Sequence, residues 1–585
     1  MEHTTARGLR SNLINYSDDE FALFLRKAFI KGAGYSDDTL DRPVVGIVNT
    51  ASDANPCHGN VPTLIDAVKR GVMLSGAFPV AFPTLSLHEL FSYPTSMLMR
   101  NLMSMDTEEM IAALPVDAVV LIGGCDKTVP AQLMGAASAN KPAIQLVTGS
   151  MLTGSHRGRT IGACTDCRAN WGRYRSGEID KEEIDDINGR LVGSVGTCSV
   201  AGTASTMACV TEALGMSLPG SATPPAVTAD RVRIAEETGR RAVELAQEGL
   251  TVRDILTPKA FANAFRVLFA MSGSTNAVVH LTAVAGRVGY DVDMAALDRL
   301  SRETPVLVDL KPAGSHYMED LHRAGGVPRL LHELRHLLHL DALTVSGKPL
   351  GEHLPPEKDL FEQKVISTTE RPLHAPGSVI VLTGNLAPEG ALLKQAAATP
   401  SLMEHRGRAV VFEDSDDLAA RLDGEDLDVN ADDVLVLRNI GPVGAPGMPE
   451  AGYIPIPKKL ARQGVKDMVR ISDGRMSGTA FGSVILHVAP EAAVGGALSL
   501  VRTGDYIELS ASKGTIHLDV TDEELARRRQ DHRPMKVVRP SRGYKKLYVD
   551  EVLQAPQGCD FGFLRYDVSR GSVPAKTSNG SVQPL

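Results

Sequence analysis

Short β-branched runs alternate with helical patterns through the first half of the chain. RPVVGIVNT (42–50) reads as a buried strand and NPCHGN as the loop after it. In VPTLIDAVKRGVMLSGA, Val61, Leu64, Ile65, Val68 and Val72 recur at helical spacing around Pro62, a residue favoured in a first helical turn. DAVVLIGG (117–124) repeats the scheme, with the CDKT loop, a helix opened by Pro130 and a further strand at AIQLV. Strand, loop, helix, strand predicts a parallel sheet covered on both faces, with ligands gathering beyond the carboxyl ends of the strands, where both loops lie.

Between about 285 and 375 the pattern changes to helices with polar faces, MAALDRLSRE and VPRLLHELRHLLHL, and then to the Pro- and charge-rich GKPLGEHLPPEKDLFEQ. A domain boundary is expected near 370, dividing 1–370 from 371–585. Beyond it SVIVLTG, AVVFED, DVLVLRN and DMVRIS read as strands, DYIELSASKGTIHLDV as a hairpin, and TDEEL as a capping box before a final helix. The expected fold is α/β, with a helix-flanked parallel sheet first and a strand-rich, barrel-like α+β domain second. The tail after about 566 is rich in Ser, Gly and Pro and reads as loose.

Composition narrows the class of function. With 585 residues, 43% hydrophobic and 22% charged, the chain is long enough for two to four units of about 100–200 residues. The net charge of -9, without dense basic blocks beyond ARRRQ (526–530), argues against a nucleic-acid partner. Neither a signal peptide nor a membrane span is legible, so the expected location is cytoplasmic. Seven scattered cysteines do not make a disulfide framework.

Three of these cysteines share a setting. Cys57, Cys125 and Cys198 each sit in a Gly-, Pro- or Ser-containing loop just before a helical pattern, where unpaired N–H groups favour thiolates. Their separations are too wide for a local zinc or ferredoxin module, so they would meet only through the fold; buried free thiols are the plainer alternative. Cys164 and Cys167 form a C-x-x-C without a second pair, read as packing in preference to a redox pair or half a zinc site. Cys209 and Cys559 read as structural.

Taken together, GGCDKTVPAQLMGA, NPCHGN, GSVGTCSVAGTASTMACVTEALGMSLPGSA and ISDGRMSGTAFG resemble the dihydroxy-acid and sugar-acid dehydratase family over nearly the whole length. DCRANWGRYRSGEI and PTSMLMRNLMSMD look more like its aldonate branch than its branched-chain amino-acid branch. The resemblance implies a [2Fe–2S] cluster on Cys57, Cys125 and Cys198, with one iron left open, beside Mg²⁺ held by Glu89, Asp126 and a carbamylated Lys127. It implies Ser477, the second serine of ISDGRMSGT, as the base that removes the C2 proton of a 2,3-dihydroxy acid. Glu450, from GAPGMPE, is carried over as a carboxylate on the Mg²⁺ or substrate side; His58, from its place beside Cys57, reads as a residue that caps the loop or supports the cysteine. The resemblance also implies a homodimer or homotetramer.

Taken singly, Asp126 and Lys127 would be a loop ion pair and Ser477 a turn serine. Rival readings keep the fold and change the substrate to a branched-chain dihydroxy acid or to 6-phosphogluconate, for which Arg168, Arg173 and Arg175 could form a phosphate cradle. An aconitase-like hydro-lyase with a [4Fe–4S] cluster and a non-enzymatic iron–sulfur sensor are the more distant alternatives.

Overall fold

The computed structural model of the protein describes residues 7–13, 16–531 and 539–567; the Ser/Gly/Pro-rich tail therefore lies almost wholly outside the described residues. Four strands, β1 (Val44–Asn49), β2 (Phe78–Pro83), β3 (Ala118–Gly123) and β4 (Ala143–Val147), pair in parallel in the order β2-β1-β3-β4. Strands β1, β3 and β4 fall where the apolar runs place them. Strand β2, FPVAFP, carries Pro79 and Pro83, which mask it in the sequence; it is tolerated because it is an edge strand, where a missing N–H costs no ladder bond.

Helices Val61–Leu74 and Ala229–Glu248 pack on one another and on this sheet, and Ser96–Ala113 pairs with Thr128–Ala139. The first pair crosses closely. A Cβ on Gly71 would stand 2.0 Å from the Glu236 carbonyl oxygen and one on Gly239 2.3 Å from that of Val68, so any side chain there would force the helices apart. A small hairpin, β5 (Gly154–His156) and β6 (Arg159–Ile161), leads into the helix Thr165–Ser176. Of the polar-faced segments, MAALDRLSRE is helical (Met294–Glu303), whereas the second reaches only Gly326–Glu333 before a 3-10 turn, Arg335–Leu337.

The second sheet contains β7 (Ile380–Leu382), β8 (Gly390–Leu393), β9 (Glu404–Phe412), β10 (Val434–Leu437), β11 (Arg470–Ser472), β12 (Val484–Ala489), β13 (Tyr506–Ser510) and β14 (Thr515–Leu518). Their order is β14-β13-β9-β10-β11-β12-β8-β7, parallel from β9 to β12 and antiparallel elsewhere. Its two ends meet: Thr383 N donates to the Gly514 carbonyl and Ile516 N to that of Thr383, both at 2.9 Å, which curls the sheet into a barrel. Period-two alternation splits its strands between two cores. Ala409, Val411, Val434 and Val436 join one cluster, while Val410, Phe412, Leu435 and Leu437 pack with Leu418 and Leu460 of two covering helices.

In the expected capping box Thr521 accepts from Glu524 N at 3.2 Å, while the Glu524 carboxylate turns to Arg527 and Arg528. The helix it opens, Asp522–Asp531, is not the last: Gly543–Glu551 follows and returns to the N-terminal region, where Tyr544 donates to the Leu98 carbonyl at 2.9 Å. Among the described residues no helix is long and apolar enough to cross a membrane.

Candidate active site

The loops that leave β1 and β3 bring the first two cysteines together. Cys57 lies in a 3-10 turn, Pro56–His58, ahead of the helix Val61–Leu74, and Cys125 lies between β3 and the helix Thr128–Ala139. Both are buried, and their sulfurs and a ring nitrogen of His88 all lie within 4.8 Å of one another. Cys198 reaches the same region from the loop before the helix Thr203–Ala213. A hydrogen bond with Cys125 and then burial push the Cys57 thiol well up; the bond with Cys164 and burial do the same to Cys198. Sulfurs so placed give up their protons when a cation replaces them.

His58 ties the two loops. Its Nδ1 donates to the Thr50 carbonyl at 2.9 Å, which fixes the tautomer and leaves Nε2 to accept from the backbone N–H groups of Gly124 and Cys125, each at 3.0 Å. Burial lowers its pKa to about 4, so the ring is neutral in this role.

Beside the sulfurs lies a buried group of charges. Lys127, completely buried at the N-terminus of the helix Thr128–Ala139, bonds Asp126, Glu89 at 3.1 Å and, more loosely, Glu450 at 3.7 Å. Burial alone would lower the lysine pKa, but Asp126 and Glu89 outweigh it and hold the value above the usual range. Glu89 also accepts from Thr95 Oγ1 at 2.6 Å and from Ser96; its burial is outweighed by Lys127 and Arg475, which keep the carboxyl well below its ordinary range. Glu450 goes the other way, raised by burial against Lys127 and Arg475. Lysine and arginine thus face three carboxylates, an excess of negative charge that suits a cation.

The loop Met476–Thr479 comes from the second sheet, after β11. Ser477 Oγ lies 2.9 Å from Thr479 Oγ1, and Thr479 is held by Thr165, whose hydroxyl donates to the Thr479 carbonyl at 3.1 Å. A Cβ on Gly202 would meet the Thr479 methyl at 3.0 Å and Cys198 Sγ at 3.9 Å, so the serine loop sits against the Cys198 loop. Asn276, invisible as a site residue in the sequence, joins the parts: its Nδ2 lies 3.0 Å from Glu450 Oε1, 3.1 Å from the Met476 carbonyl and 3.2 Å from Thr203 Oγ1. Arg475 adds a bond to Glu450 at 3.1 Å.

Two sequence readings change. Cys167 packs as expected, against the cluster of Ile161, Ile184 and Ile187, but Cys164 does more than pack: its sulfur lies 3.6 Å from that of Cys198, and hydrogen bonds with Cys167 and Cys198 hold its pKa well below the usual range. The three arginines do not form a cradle. Arg173 bonds Glu178 at 2.7 Å, Arg175 bonds Asp423 at 3.0 Å, and Arg168 alone faces this region, its guanidinium 5.0 Å from the Tyr453 ring centre. Cys209 and Cys559 lie in apolar clusters, as expected.

Comparison with known proteins agrees with this layout. The family model for the N-terminal part of dihydroxy-acid/6-phosphogluconate dehydratases matches residues 42–353, and that for the C-terminal part matches 364–559. An L-arabonate dehydratase of Azospirillum brasilense is 49% identical over 550 residues, covering 92% of this chain and 94% of its own. An L-arabinonate dehydratase of Rhizobium leguminosarum bv. trifolii is 45% identical over 558 residues, covering 94% and 95%. A 6-deoxy-6-sulfo-D-gluconate dehydratase of Pseudomonas putida is 42% identical over 554 residues, with the same coverage. Matched in both parts and along most of its length, the chain belongs to the dihydroxy-acid/6-phosphogluconate dehydratase family and is a dehydratase.

Proposed function

We propose that the protein dehydrates a sugar acid, an aldonate such as arabinonate, xylonate or gluconate, to the 2-keto-3-deoxy acid, with a [2Fe–2S] cluster and Mg²⁺ as cofactors. One observation carries the reading: buried Lys127, ringed by Asp126, Glu89 and Glu450, lies two residues from Cys125 of the cysteine group. The sugar-acid names of the relatives above support the substrate class.

The donor sets fit both groups. Cys57, Cys125 and Cys198 offer soft sulfurs that would hold an iron–sulfur cluster, and three protein ligands in place of the usual four would make it a Lewis acid as well as a bound group. Glu89, Asp126 and Glu450 offer hard oxygens, and carbamylation of Lys127 would turn the lysine among them into a further oxygen ligand, which suits Mg²⁺. Held by these residues, the two groups would supply Lewis acidity that stabilises the enolate formed at C2 and eases the loss of the 3-hydroxyl.

The chain's own residues do the rest. Ser477 takes the C2 proton; for that its hydroxyl must act as an alkoxide, which Thr479 Oγ1, 2.9 Å away, stabilises by donating to it. Asn276 and Arg475 fix the Glu450 carboxylate, and His58 fixes the Cys125 backbone. The enol left by the loss of water tautomerises to the ketone. The division near residue 370 rests on the change of sequence pattern there and the cytoplasmic location on the lack of a legible signal peptide or membrane span, while the homodimer or homotetramer follows the family resemblance. The engaged Arg173 and Arg175 weigh against a phosphorylated substrate.

The test is a keto-acid assay on anaerobically purified protein with Mg²⁺, across aldonates, 2,3-dihydroxyisovalerate and 6-phosphogluconate. Turnover of an aldonate is expected. Turnover of the branched-chain or phosphorylated acid alone would overturn the substrate class, and iron and sulfide near four per chain would overturn the cluster type.

A further inference from the structure

Cys164 and Cys167 belong to neither the sulfur group Cys57, Cys125 and Cys198 nor the carboxylate group, yet they are built against the site. Cys164 caps the N-terminus of the twelve-residue helix Thr165–Ser176 and Cys167 lies in its first turn, hydrogen-bonded to Cys164. On its other side Cys164 Sγ stands 3.6 Å from Cys198 Sγ. The flanking backbones are joined: Ser199 N and Ser199 Oγ donate to the Ala163 carbonyl at 3.0 and 3.1 Å, so the residue after Cys198 is bonded to the residue before Cys164.

The motif is fixed from behind as well. Asp166, between the two cysteines, accepts from Gly162 N at 2.8 Å, Tyr317 OH at 2.7 Å and Lys311 Nζ at 2.7 Å. Cys164 is thus held between two sulfur partners, one in its own helix and one across the loop, and it is partly exposed. This is the arrangement a thiol–disulfide exchange needs: a central sulfur that can bond to one neighbour and then be claimed by the other.

We propose that Cys164 and Cys167 are a repair dithiol that returns an oxidised Cys198 to the thiolate form; the proposal rests on the reading of Cys198 as a cluster ligand. When a hydroperoxide such as hydrogen peroxide has stripped the cluster, it oxidises the freed Cys198 thiolate to a sulfenic acid and is itself reduced, leaving as hydroxide. The Cys164 thiolate attacks the sulfenic sulfur, the S–O bond breaks, and the hydroxide leaves as water after taking a proton. The product is a Cys164–Cys198 disulfide. Cys167 then attacks the Cys164 sulfur, and Cys198 departs as a thiolate ready to take up iron again. The Cys164–Cys167 disulfide so formed is reduced by an external dithiol, which supplies two electrons and two protons.

The test exposes the anaerobically purified holoprotein to hydrogen peroxide, blocks free thiols with iodoacetamide and maps the cysteines by mass spectrometry. Wild type should carry a Cys164–Cys167 disulfide. Cys167→Ser should stop at Cys164–Cys198, and Cys164→Ser should carry Cys198 as sulfinic or sulfonic acid. After dithiothreitol and reconstitution, wild type should regain its starting iron and sulfide, whereas Cys164→Ser should regain several-fold less than it held before peroxide. Absence of the Cys164–Cys198 link in Cys167→Ser overturns the proposal, as does full reloading of oxidised Cys164→Ser. Purified protein without iron or sulfide would overturn the cluster reading instead; the link in Cys167→Ser would still decide the exchange.

Discussion

His58 and Cys125 stand 67 residues apart in the chain, and a 3.0 Å hydrogen bond from the Cys125 backbone to His58 Nε2 joins them. The neighbour of Cys57 thereby sets the backbone of Cys125. His58→Ala leaves two buried N–H groups without their acceptor, at a cost of about 1–3 kcal/mol each. Its thermal midpoint should fall and its iron and sulfide per chain should drop below half of the wild-type level. His58→Gln, which can both donate and accept, should recover part of each. Wild-type cluster content in His58→Ala would show that the loops hold their register without the ring.

Ser477→Ala should lower kcat by about 10²–10⁴-fold, the range typical for a positioned general base, while visible absorption from the cluster persists. Thr479→Val, which removes only the hydroxyl beside Ser477, should lower kcat by about tenfold, since one lost donor costs roughly 1–1.5 kcal/mol. Undiminished turnover in Ser477→Ala would remove that serine from the mechanism.

Asn276 touches Glu450 but stands behind the carboxylate group. Asn276→Ala removes one bond to Glu450 and one to the Met476 carbonyl, and if Glu450 serves the proposed ion the concentration of Mg²⁺ giving half-maximal activity should rise about 10–100-fold. Removing the ion with EDTA should abolish turnover and adding Mg²⁺ should restore it. An unchanged Mg²⁺ requirement in Asn276→Ala would separate Asn276 from the ion site.

Lys394 follows β8, is 1% exposed, and its Nζ finds no hydrogen-bond partner among the described residues. Burial lowers its pKa from 10.5 to about 7. Between those values the unfolded chain binds a proton that the folded chain does not, so wild-type stability should rise as pH climbs from about 7 toward 10.5. Lys394→Met keeps the apolar stem and drops the amine; it should stabilise the fold at pH 7 by about 1–3 kcal/mol and flatten that slope. Urea melts at pH 7 and pH 9.5 measure both effects, and a destabilised Lys394→Met would mean that the amine has a partner in solution.

The site was legible where chemistry is concentrated in a few consecutive residues. Cys57, Cys125 and Cys198 stand out because each interrupts a loop before a helix, and CDK places three unlike side chains together. Asn276 is hidden by its surroundings, since an asparagine at the start of NAVVHLTAVAGR reads as an ordinary helix start. The contact of Cys164 is hidden because its partner, Cys198, is 34 residues away and is brought near by the fold, with the Ala163–Ser199 bonds joining the two backbones. In the fold, β12 escaped because buried His487 interrupts its apolar run with a left-handed backbone, φ 57°. The loss of Arg173 and Arg175 as a cradle was equally unreadable: Asp423, which holds Arg175, lies 248 residues downstream.

The meeting of Thr383 with Gly514 and Ile516 leaves the second sheet without a free margin. On the first sheet, β2 is interrupted by Pro79 and Pro83, and β4 on the other side is already engaged, with Gln145 N donating to the Met216 carbonyl at 2.8 Å. Among the described residues neither of these two sheets therefore offers another chain a run of unsatisfied backbone groups to extend. Association of copies through either of these two sheets is thereby disfavoured, so single substitutions on the side-chain surfaces of helices and loops can tune assembly without touching either sheet.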